Sequence, residues 1–167
     1  MSEVLAPVFP VPLGPVTAEG INIGCGEQLT RFSLRTRAPQ GLPTKIGTTQ
    51  NFGEGSALCL GPDEWMLLLP DGSMPPVIAG LSSTTDISHR SVGLHVSGAW
   101  AARLIQSGCP LDLSLPHFPV GKAVRTVYDS VEIILWRTDK DMFHIEVWRS
   151  FAPYLWAALT QAAQHRA

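Results

Sequence analysis

The sequence predicts one α+β domain built from antiparallel sheets with flanking helices. Apolar and polar residues alternate with a period of two in several short segments, which is typical of half-buried strands. Three such segments in the C-terminal third are separated only by short polar turns, so they are expected to pair antiparallel. The last segment instead has apolar residues at helical spacing. Hairpins combined with helices are the pattern of an α+β fold.

Residues 1–20 are predicted to form a Pro-rich extended arm, and residues 21–167 a single domain. Pro7, Pro10 and Pro12 interrupt the first apolar stretch, and no Lys or Arg precedes it, so it is expected neither to cross a membrane nor to direct secretion. The apolar residues of the arm, including Phe9, have no local helix or hairpin to bury them. We therefore expect the arm to lie on another surface; a frayed terminus is the alternative.

The first half of the domain carries three strand signals and one helix signal. Phe32, Leu34 and Thr36 alternate with polar neighbours and predict a strand. Residues 56–60 and 65–69 are apolar runs joined by a Gly-Pro-Asp-Glu turn, which predicts a buried hairpin. A short helix is expected near residues 75–81.

The second half begins with a strand that leads into a helix. Val92, Leu94 and Val96 alternate with small or polar residues, and residues 98–107 place apolar side chains on one helical face. Residues 123–128, 131–137 and 142–149 then predict an antiparallel meander.

A final helix is expected to begin at Ser150, which would cap it. Its core stripe is predicted to comprise Phe151, Leu155, Ala158, Leu159 and Ala162.

Two parts of the chain show a similar order of predicted elements, a hairpin followed by a helix, at residues 56–81 and 131–159. Such units are common in α+β folds, so an internal duplication remains open.

The composition is short of charge. Charged residues make up 16% of the chain, against about 25% in typical soluble domains, and mean hydropathy is +0.14. Either much of the surface is covered by a partner or the isolated chain is poorly soluble. A net charge of −2 without a Lys/Arg cluster argues against nucleic-acid binding. Three widely spaced cysteines favour free thiols and a cytoplasmic location.

No motif of strong catalytic or metal-binding specificity is present. Asp86 and His89 could form an acid/base pair, but a polar turn explains them more simply. Cys109 could be a nucleophile, although a small buried hydrophobic residue is the simpler interpretation. His95 and His144 are expected to face solvent or to be buried at a contact. We expect this chain to contribute no catalytic residue, no cofactor-binding residue and no metal ligand.

The final helix and two strands predict a partner interface. Residues 151–164 contain no charged side chain, so the helix is expected to be buried on more than one side. Trp136 and Trp148 lie on strand faces opposite the main apolar sets. The alternative is a three-layer domain that covers both sheet faces itself. The predicted interface residues are Phe9, Trp136, Trp148, Tyr154 and Trp156.

Five separated segments carry a family resemblance. They are "LGPDEWMLLLP" at 60–70, "DISHRSVGLHVSG" at 86–98, "GCPLDL" at 108–113, "FPVGKAVRT" at 118–126 and "RSFAPYLWAAL" at 149–159. In this order they resemble the gamma subunit of heterotetrameric sarcosine oxidase, over roughly residues 55–162.

The resemblance implies membership of an alpha-beta-gamma-delta complex. Such complexes oxidatively demethylate sarcosine to glycine, pass the one-carbon unit to tetrahydrofolate and pass electrons to oxygen, which yields hydrogen peroxide. FAD, covalent FMN and NAD are then expected on the alpha and beta subunits and zinc on delta, with no cofactor on this chain. The implied fold is similar to the folate-binding domain of aminomethyltransferase.

One departure bears on folate. Aminomethyltransferases carry a folate-handling Asp after a Gly-rich turn, whereas the corresponding hairpin at residues 128–133 lacks that turn and a paired acid. Asp129 is most simply a turn residue. The low charge, the uncharged final helix and the five-segment resemblance lead to the first hypothesis, a non-catalytic structural subunit that stabilises the large flavoprotein subunits. A stand-alone folate-binding or aminomethyltransferase-like one-carbon module, and a homo-oligomeric scaffold, are the alternatives.

Overall fold

The computed structural model describes residues 10–12 and 14–165. Within them, the chain forms two antiparallel sheets and two helices. Their bounds are β1 Val16–Ala18, β2 Ile21–Cys25, β3 Leu29–Thr36, β4 Thr49–Phe52, β5 Gly55–Gly61, β6 Glu64–Pro70, β7 Ser82–Asp86, β8 Ser91–Ser97, α1 Ala101–Gln106, β9 Ala123–Tyr128, β10 Val131–Asp139, β11 Met142–Trp148 and α2 Ala152–Gln164.

The six-stranded sheet has the order β1-β2-β8-β11-β10-β9, with every neighbouring pair antiparallel. Its last three strands are the predicted meander, in which Leu135 of β10 lies between Ile145 of β11 and Val124 of β9. Asp129 adopts a φ of 51° in the two-residue turn between β9 and β10, which confirms that it is a turn residue.

The five-stranded sheet has the order β4-β5-β6-β3-β7. The predicted hairpin is confirmed as β5 and β6, with Leu58 opposite Met66. β3 pairs with β6 on one side and with β7 on the other. On the outer face of this sheet, Phe32, Trp65 and neighbouring apolar side chains form a buried cluster.

The two sheets pack face to face, and both helices cover the other face of the six-stranded sheet. Leu58, Met66 and Leu68 of the five-stranded sheet form a cluster against which Ile134 and Trp136 of β10 pack. The predicted fold class, α+β with antiparallel sheets and flanking helices, is confirmed. No helix in the described part of the chain is long and apolar enough to cross a membrane.

The face-to-face packing corrects the interpretation of Trp136. That residue was expected on a free strand face, available to a partner. The five-stranded sheet covers this face, so Trp136 is half-buried inside the domain. The alternative, that the domain covers both faces of the sheet itself, is the arrangement that is found.

The predicted helix near residues 75–81 is wrong. Gly80 has a φ of 80°, outside the helical region, and Pro76 disfavours the helical conformation of the residue before it, Pro75. Residues 71–81 are irregular instead, and they lead into β7, which was not predicted. Only the hairpin part of the possible repeat is therefore present in both halves.

The final helix is present, but its predicted cap is wrong and its predicted core stripe is right only in part: Leu155 and Leu159 are buried and Ala158 and Ala162 pack against the core, whereas Phe151 does not. Phe151 rather than Ser150 is at the N-cap, and no side chain caps the helix. Phe151 is 44% exposed, whereas Trp156 is 7% exposed. Two faces of this helix are apolar, so spacing alone did not identify the inner one. The side chains that face the core are Ala152, Leu155, Trp156, Leu159 and Ala163.

The N-terminal segment is partly integrated into the domain. β1 lies within the predicted arm and pairs with β2 at the edge of the six-stranded sheet. Val11 is buried in the core between this sheet and the helices. The part of the arm nearest the domain thus lies on the chain's own core, while Phe9 lies outside the described residues.

Candidate functional site

The predicted interface residues have different environments. Trp148 and Tyr154 are exposed on one side of the molecule. Trp156 belongs to the core beneath α2, and Trp136 lies between the sheets. A side chain that is buried within its own domain offers little surface to a partner. Trp156 and Trp136 are therefore removed from the interface set.

Trp148, Phe151 and Tyr154 form what we call the aromatic surface. The rings of Trp148 and Phe151 are tilted against each other with centroids 6.2 Å apart, and the Arg90 guanidinium lies 5.2 Å from the Trp148 ring. The Tyr154 hydroxyl donates to Asp129 Oδ2 at 3.3 Å. All three aromatic side chains are between 43% and 49% exposed.

The outer face of α2 extends the aromatic surface. It comprises Tyr154, Ala157, Gln161 and His165, which are exposed. This face borders an open groove of about 400 Å³ between α2, the end of α1 and the β9–β10 turn. An exposed helix face normally carries Lys and Glu, and this one carries neither. The uncharged outer side of α2 is therefore exposed to solvent in the isolated chain.

A second feature, a buried polar network, joins the two sheets. Arg31 of β3 donates from Nε to Glu146 Oε2 of β11 at 2.7 Å. His144 Nε2 lies 2.6 Å from Glu146 Oε1, and His144 Nδ1 is hydrogen-bonded to His95 Nε2 at 3.2 Å. Arg31, His144 and Glu146 are all buried. The network thus bonds its own charged groups to one another.

The electrostatics of the network follow from its burial and its internal bonds. Burial raises the pKa of Glu146, but the hydrogen bonds and charges of His144 and Arg31 outweigh it, so the pKa lies below its ordinary value. Burial, and then the charge of His144, lower the pKa of His95. The native network therefore favours an ionised Glu146 and a neutral His95.

Sequence reasoning missed most of this network. Arg31 is one of the polar residues that alternate with Phe32 and Leu34, and that alternation gives no sign that its side chain is buried. A buried contact was one of two expectations for His144, and it is confirmed. Gly93 was an available sequence signal, because a glycine inside a strand often marks the close approach of other groups. A Cβ there would lie 2.9 Å from Arg31 Nη2 and from His144 Cε1. Only a glycine leaves room for the network.

A cavity of about 380 Å³ lies between the sheets next to this network. Glu64 on its wall accepts from Arg125 Nη2 at 2.6 Å and lies 3.2 Å from Arg35 Nη2. The hydrogen bond from Arg125 lowers the pKa of Glu64, aided by the charges of both arginines and opposed by burial. The cavity wall is thus charged, and Glu64 is paired with both arginines.

The other candidate residues take structural roles. Ser88 N donates to Asp86 Oδ1 at 2.8 Å, which confirms a polar turn, and His89 is exposed. Cys109 is buried in the core, as the simpler interpretation predicted. Across residues 10–12 and 14–165, no group of three or more His, Cys, Asp or Glu side chains is arranged to hold a metal ion.

A sequence profile described as "Sarcosine oxidase, gamma subunit family" matches residues 40–165, which is most of the chain. The chain belongs to this family. The predicted resemblance is therefore confirmed, and the match includes both hairpins, the buried network from His95 to Glu146 and the aromatic surface.

Two curated relatives show the degree of similarity within the family. The sarcosine oxidase subunit gamma of Arthrobacter sp is 32% identical over 112 residues, which are 63% of this chain and 55% of the relative. That of Corynebacterium sp. (strain P-1) is 31% identical over 121 residues, which are 68% of this chain and 60% of the relative. The matched part thus spans less than two thirds of these relatives' length.

Solved structures show the same fold. A chain of heterotetrameric sarcosine oxidase from Corynebacterium sp. U-96, in complex with pyrrole 2-carboxylate, superposes with a TM-score of 0.79 at 23% identity, covering 90% of this chain and 87% of that chain. The glycine cleavage system aminomethyltransferase T from Bartonella henselae gives a TM-score of 0.64 at 13% identity, covering 84% of this chain and 45% of that chain. The predicted similarity to the aminomethyltransferase fold is confirmed.

Proposed function

We propose that this chain is a non-catalytic structural subunit of a heterotetrameric sarcosine oxidase. The complex would oxidatively demethylate sarcosine to glycine, transfer the one-carbon unit to tetrahydrofolate and produce hydrogen peroxide. The alpha, beta and delta subunits would carry FAD, FMN, NAD and zinc, and this chain would pack against them. The observation that carries the proposal is the aromatic surface on a member of the gamma family.

The aromatic surface has the chemistry of a subunit contact. Aromatic residues and Arg are enriched at protein–protein interfaces, where a few such side chains supply most of the binding energy. Trp148 and Phe151 already pack against each other, and Arg90 lies against the Trp148 ring, so these side chains are pre-arranged. Burying them under a partner would remove apolar area from water without reordering the chain.

The outer face of α2 supports the same conclusion. Ala157 is too small to obstruct a partner, and Tyr154 beside it adds apolar area with a polar tip. A partner that covers this face desolvates no Lys or Glu, so the cost of burying charge is avoided. A partner that binds the outer face of α2 would thus account for part of the low overall charge of the chain.

The internal polar groups support a role without catalysis. Glu146 is bonded on both oxygens, to Arg31 and to His144, and Glu64 is bonded to Arg125. A general acid or base must exchange its proton with a substrate, whereas these carboxylates hold strands together. The proposal also places the protein in the cytoplasm, because Cys25, Cys59 and Cys109 are free thiols.

Co-expression with tagged alpha, beta and delta subunits from the same organism tests the proposal. We expect the wild-type chain to co-purify, and the double variant Trp148→Ser/Phe151→Ser to be lost by at least about tenfold, because two contact aromatics are removed. Met142→Ser is the matched control, since Met142 is 43% exposed at the opposite end of β11. A wild-type chain that purifies as a monomer contradicts the proposal.

A further inference from the structure

Residues 74–81 expose apolar side chains to an unusual degree. Met74, Val77 and Leu81 are 81%, 99% and 84% exposed. The segment itself is held in place, because Ile78 packs against the outer cluster of the five-stranded sheet, and Thr36 Oγ1 donates to the Leu81 carbonyl at 3.2 Å. The exposed side chains are therefore presented by an anchored segment.

The same segment leads directly into β7, the edge strand of the five-stranded sheet. Ile87 N donates to the Arg31 carbonyl at 2.8 Å, and Phe32 lies opposite Asp86. In an antiparallel ladder the bonded residues alternate, so Ser83 and Thr85 bond to β3. The backbone N–H and C=O groups of Ser82, Thr84 and Asp86 then point away from the sheet.

This edge lacks the usual protection against strand addition. Exposed edges are normally blocked by Lys, Pro or a bulge, and β7 pairs in regular register without any of these. No residue between Asp71 and Asp86 carries a charge. The opposite edge differs, because Thr49 N of β4 donates to the Gly121 carbonyl at 3.1 Å and another segment of the chain covers it.

We propose that β7 and residues 74–81, together the β7 surface, bind an extended, uncharged segment of another subunit as an added strand. The inference rests on the proposed function. Backbone groups of Ser82, Thr84 and Asp86 would bond to the added strand. Met74, Val77 and Leu81 would cover its apolar side chains, which offsets the cost of leaving them in water.

A second copy of this chain fits the β7 surface poorly. In a two-fold antiparallel pair, the start of one β7 meets the end of the other. With Thr84 on the two-fold axis, Leu81 of one copy would lie opposite Ile87 of the other, whose side chain already packs against the cluster between the sheets. The apolar side chains would stay uncovered, so the partner is assigned to a different polypeptide.

Thr84→Pro tests the backbone part of the proposal. Thr84 N–H takes no part in the ladder with β3, and proline is tolerated at such edge positions, so the isolated variant should keep its thermal unfolding midpoint. With co-expressed alpha, beta and delta subunits, we expect its yield in the complex to fall by at least about tenfold. Hydrogen exchange in the wild-type complex should show protection of residues 82–86 relative to the isolated chain.

The double variant Val77→Asp/Leu81→Asp tests whether the exposed apolar side chains contact the added strand. It changes no residue of β7, so it also tests the proposal if Thr84→Pro does not fold. Ile46→Asp is the control, because Ile46 is 56% exposed outside the β7 surface. Assembly of both β7-surface variants at wild-type yield, or a wild-type complex with unprotected residues 82–86, overturns the inference. A dimer of the isolated chain that Thr84→Pro abolishes overturns the assigned partner. Failure of the wild-type chain to assemble with any subunit is the distinct outcome that rejects the proposed function and, with it, this inference.

Discussion

Arg31 Nε lies 2.7 Å from Glu146 Oε2, and the two side chains are 6% and 2% exposed. Arg31 belongs to the five-stranded sheet and Glu146 to the six-stranded sheet, so this ion pair joins the two layers. Buried charges are stable only while they are paired and hydrogen-bonded. The loss of one partner should therefore cost more than the loss of both.

The first prediction concerns this pair. Glu146→Leu should lower the free energy of unfolding by about 3–5 kcal/mol, because it leaves the Arg31 guanidinium buried without its carboxylate. Adding Arg31→Met should restore a substantial part of that loss, since the unpaired charge is then removed. Urea unfolding of the single and double variants measures both values. Additive losses would show that the two residues act independently.

Gly93 should not tolerate a methyl group. A Cβ there would lie 2.9 Å from Arg31 Nη2 and 3.1 Å from Glu146 Oε1, both fixed within the network. Gly93→Ala is expected to cost about 1–3 kcal/mol through overpacking. Gly24→Ala on β2 is the matched control, because nothing lies within 4 Å of its added Cβ. Equal unfolding midpoints for the two variants would contradict the crowding at Gly93.

Stability should fall on acidification in two stages. The native pKa of His95 is lowered, so the unfolded chain binds a proton more readily and stability is lost as pH falls below about 6.5. The native pKa of Glu146 is also lowered, so the stability that its ionised form contributes is lost only as the pH falls below about 4.5. Arg31, His144 and Glu27 are the other charged or titratable groups around this pair.

Urea midpoints measured between pH 7.5 and 5.5 test the upper stage. His95→Gln should flatten the slope in this range, because the residue that gains the proton is removed. His89→Gln should leave the slope close to that of the wild type, since His89 is an exposed loop side chain. A slope unchanged by His95→Gln would assign the dependence to another group.

Two tryptophans should respond oppositely to truncation. Trp156→Ala should destabilise the isolated chain by about 3–5 kcal/mol, because a buried aromatic side chain leaves a cavity. Trp148→Ala should cost less than about 1 kcal/mol, because Trp148 is exposed. Thermal unfolding of both variants compares them. A larger loss for Trp148→Ala would place Trp148, rather than Trp156, in the core.

Local patterns predicted the elements whose signals lie within a few residues. The meander from β9 to β11 was predicted by alternation and two short turns, and the β5–β6 hairpin in the same way. The helix expected near residues 75–81 is absent, because Gly80 has a φ of 80°, outside the helical region. Gly80 precedes β7, so the chain is irregular where a helix was expected.

The network and the inner face of α2 depend on contacts between distant parts of the chain. Arg31 and Glu146 are 115 residues apart, and strand alternation treats each as a polar residue facing solvent. The helix faces that carry Trp156 and Phe151 are both apolar, so the sequence does not show which of them is buried. Packing against the six-stranded sheet buries Trp156 and leaves Phe151 exposed. Trp148 and Tyr154 lie off the main apolar sets, as expected, and both are exposed, whereas the same alternation placed Trp136 on a strand face that the second sheet covers.

Native mass spectrometry of the complex formed with co-expressed alpha, beta and delta subunits tests the central claim most directly. We expect an assembly that contains this 18.1 kDa chain together with the larger subunits, and that loses this chain when Trp148 and Phe151 are replaced by serine. An assembly of the other subunits without this chain, alongside free wild-type monomer or a homo-oligomer, would contradict the account.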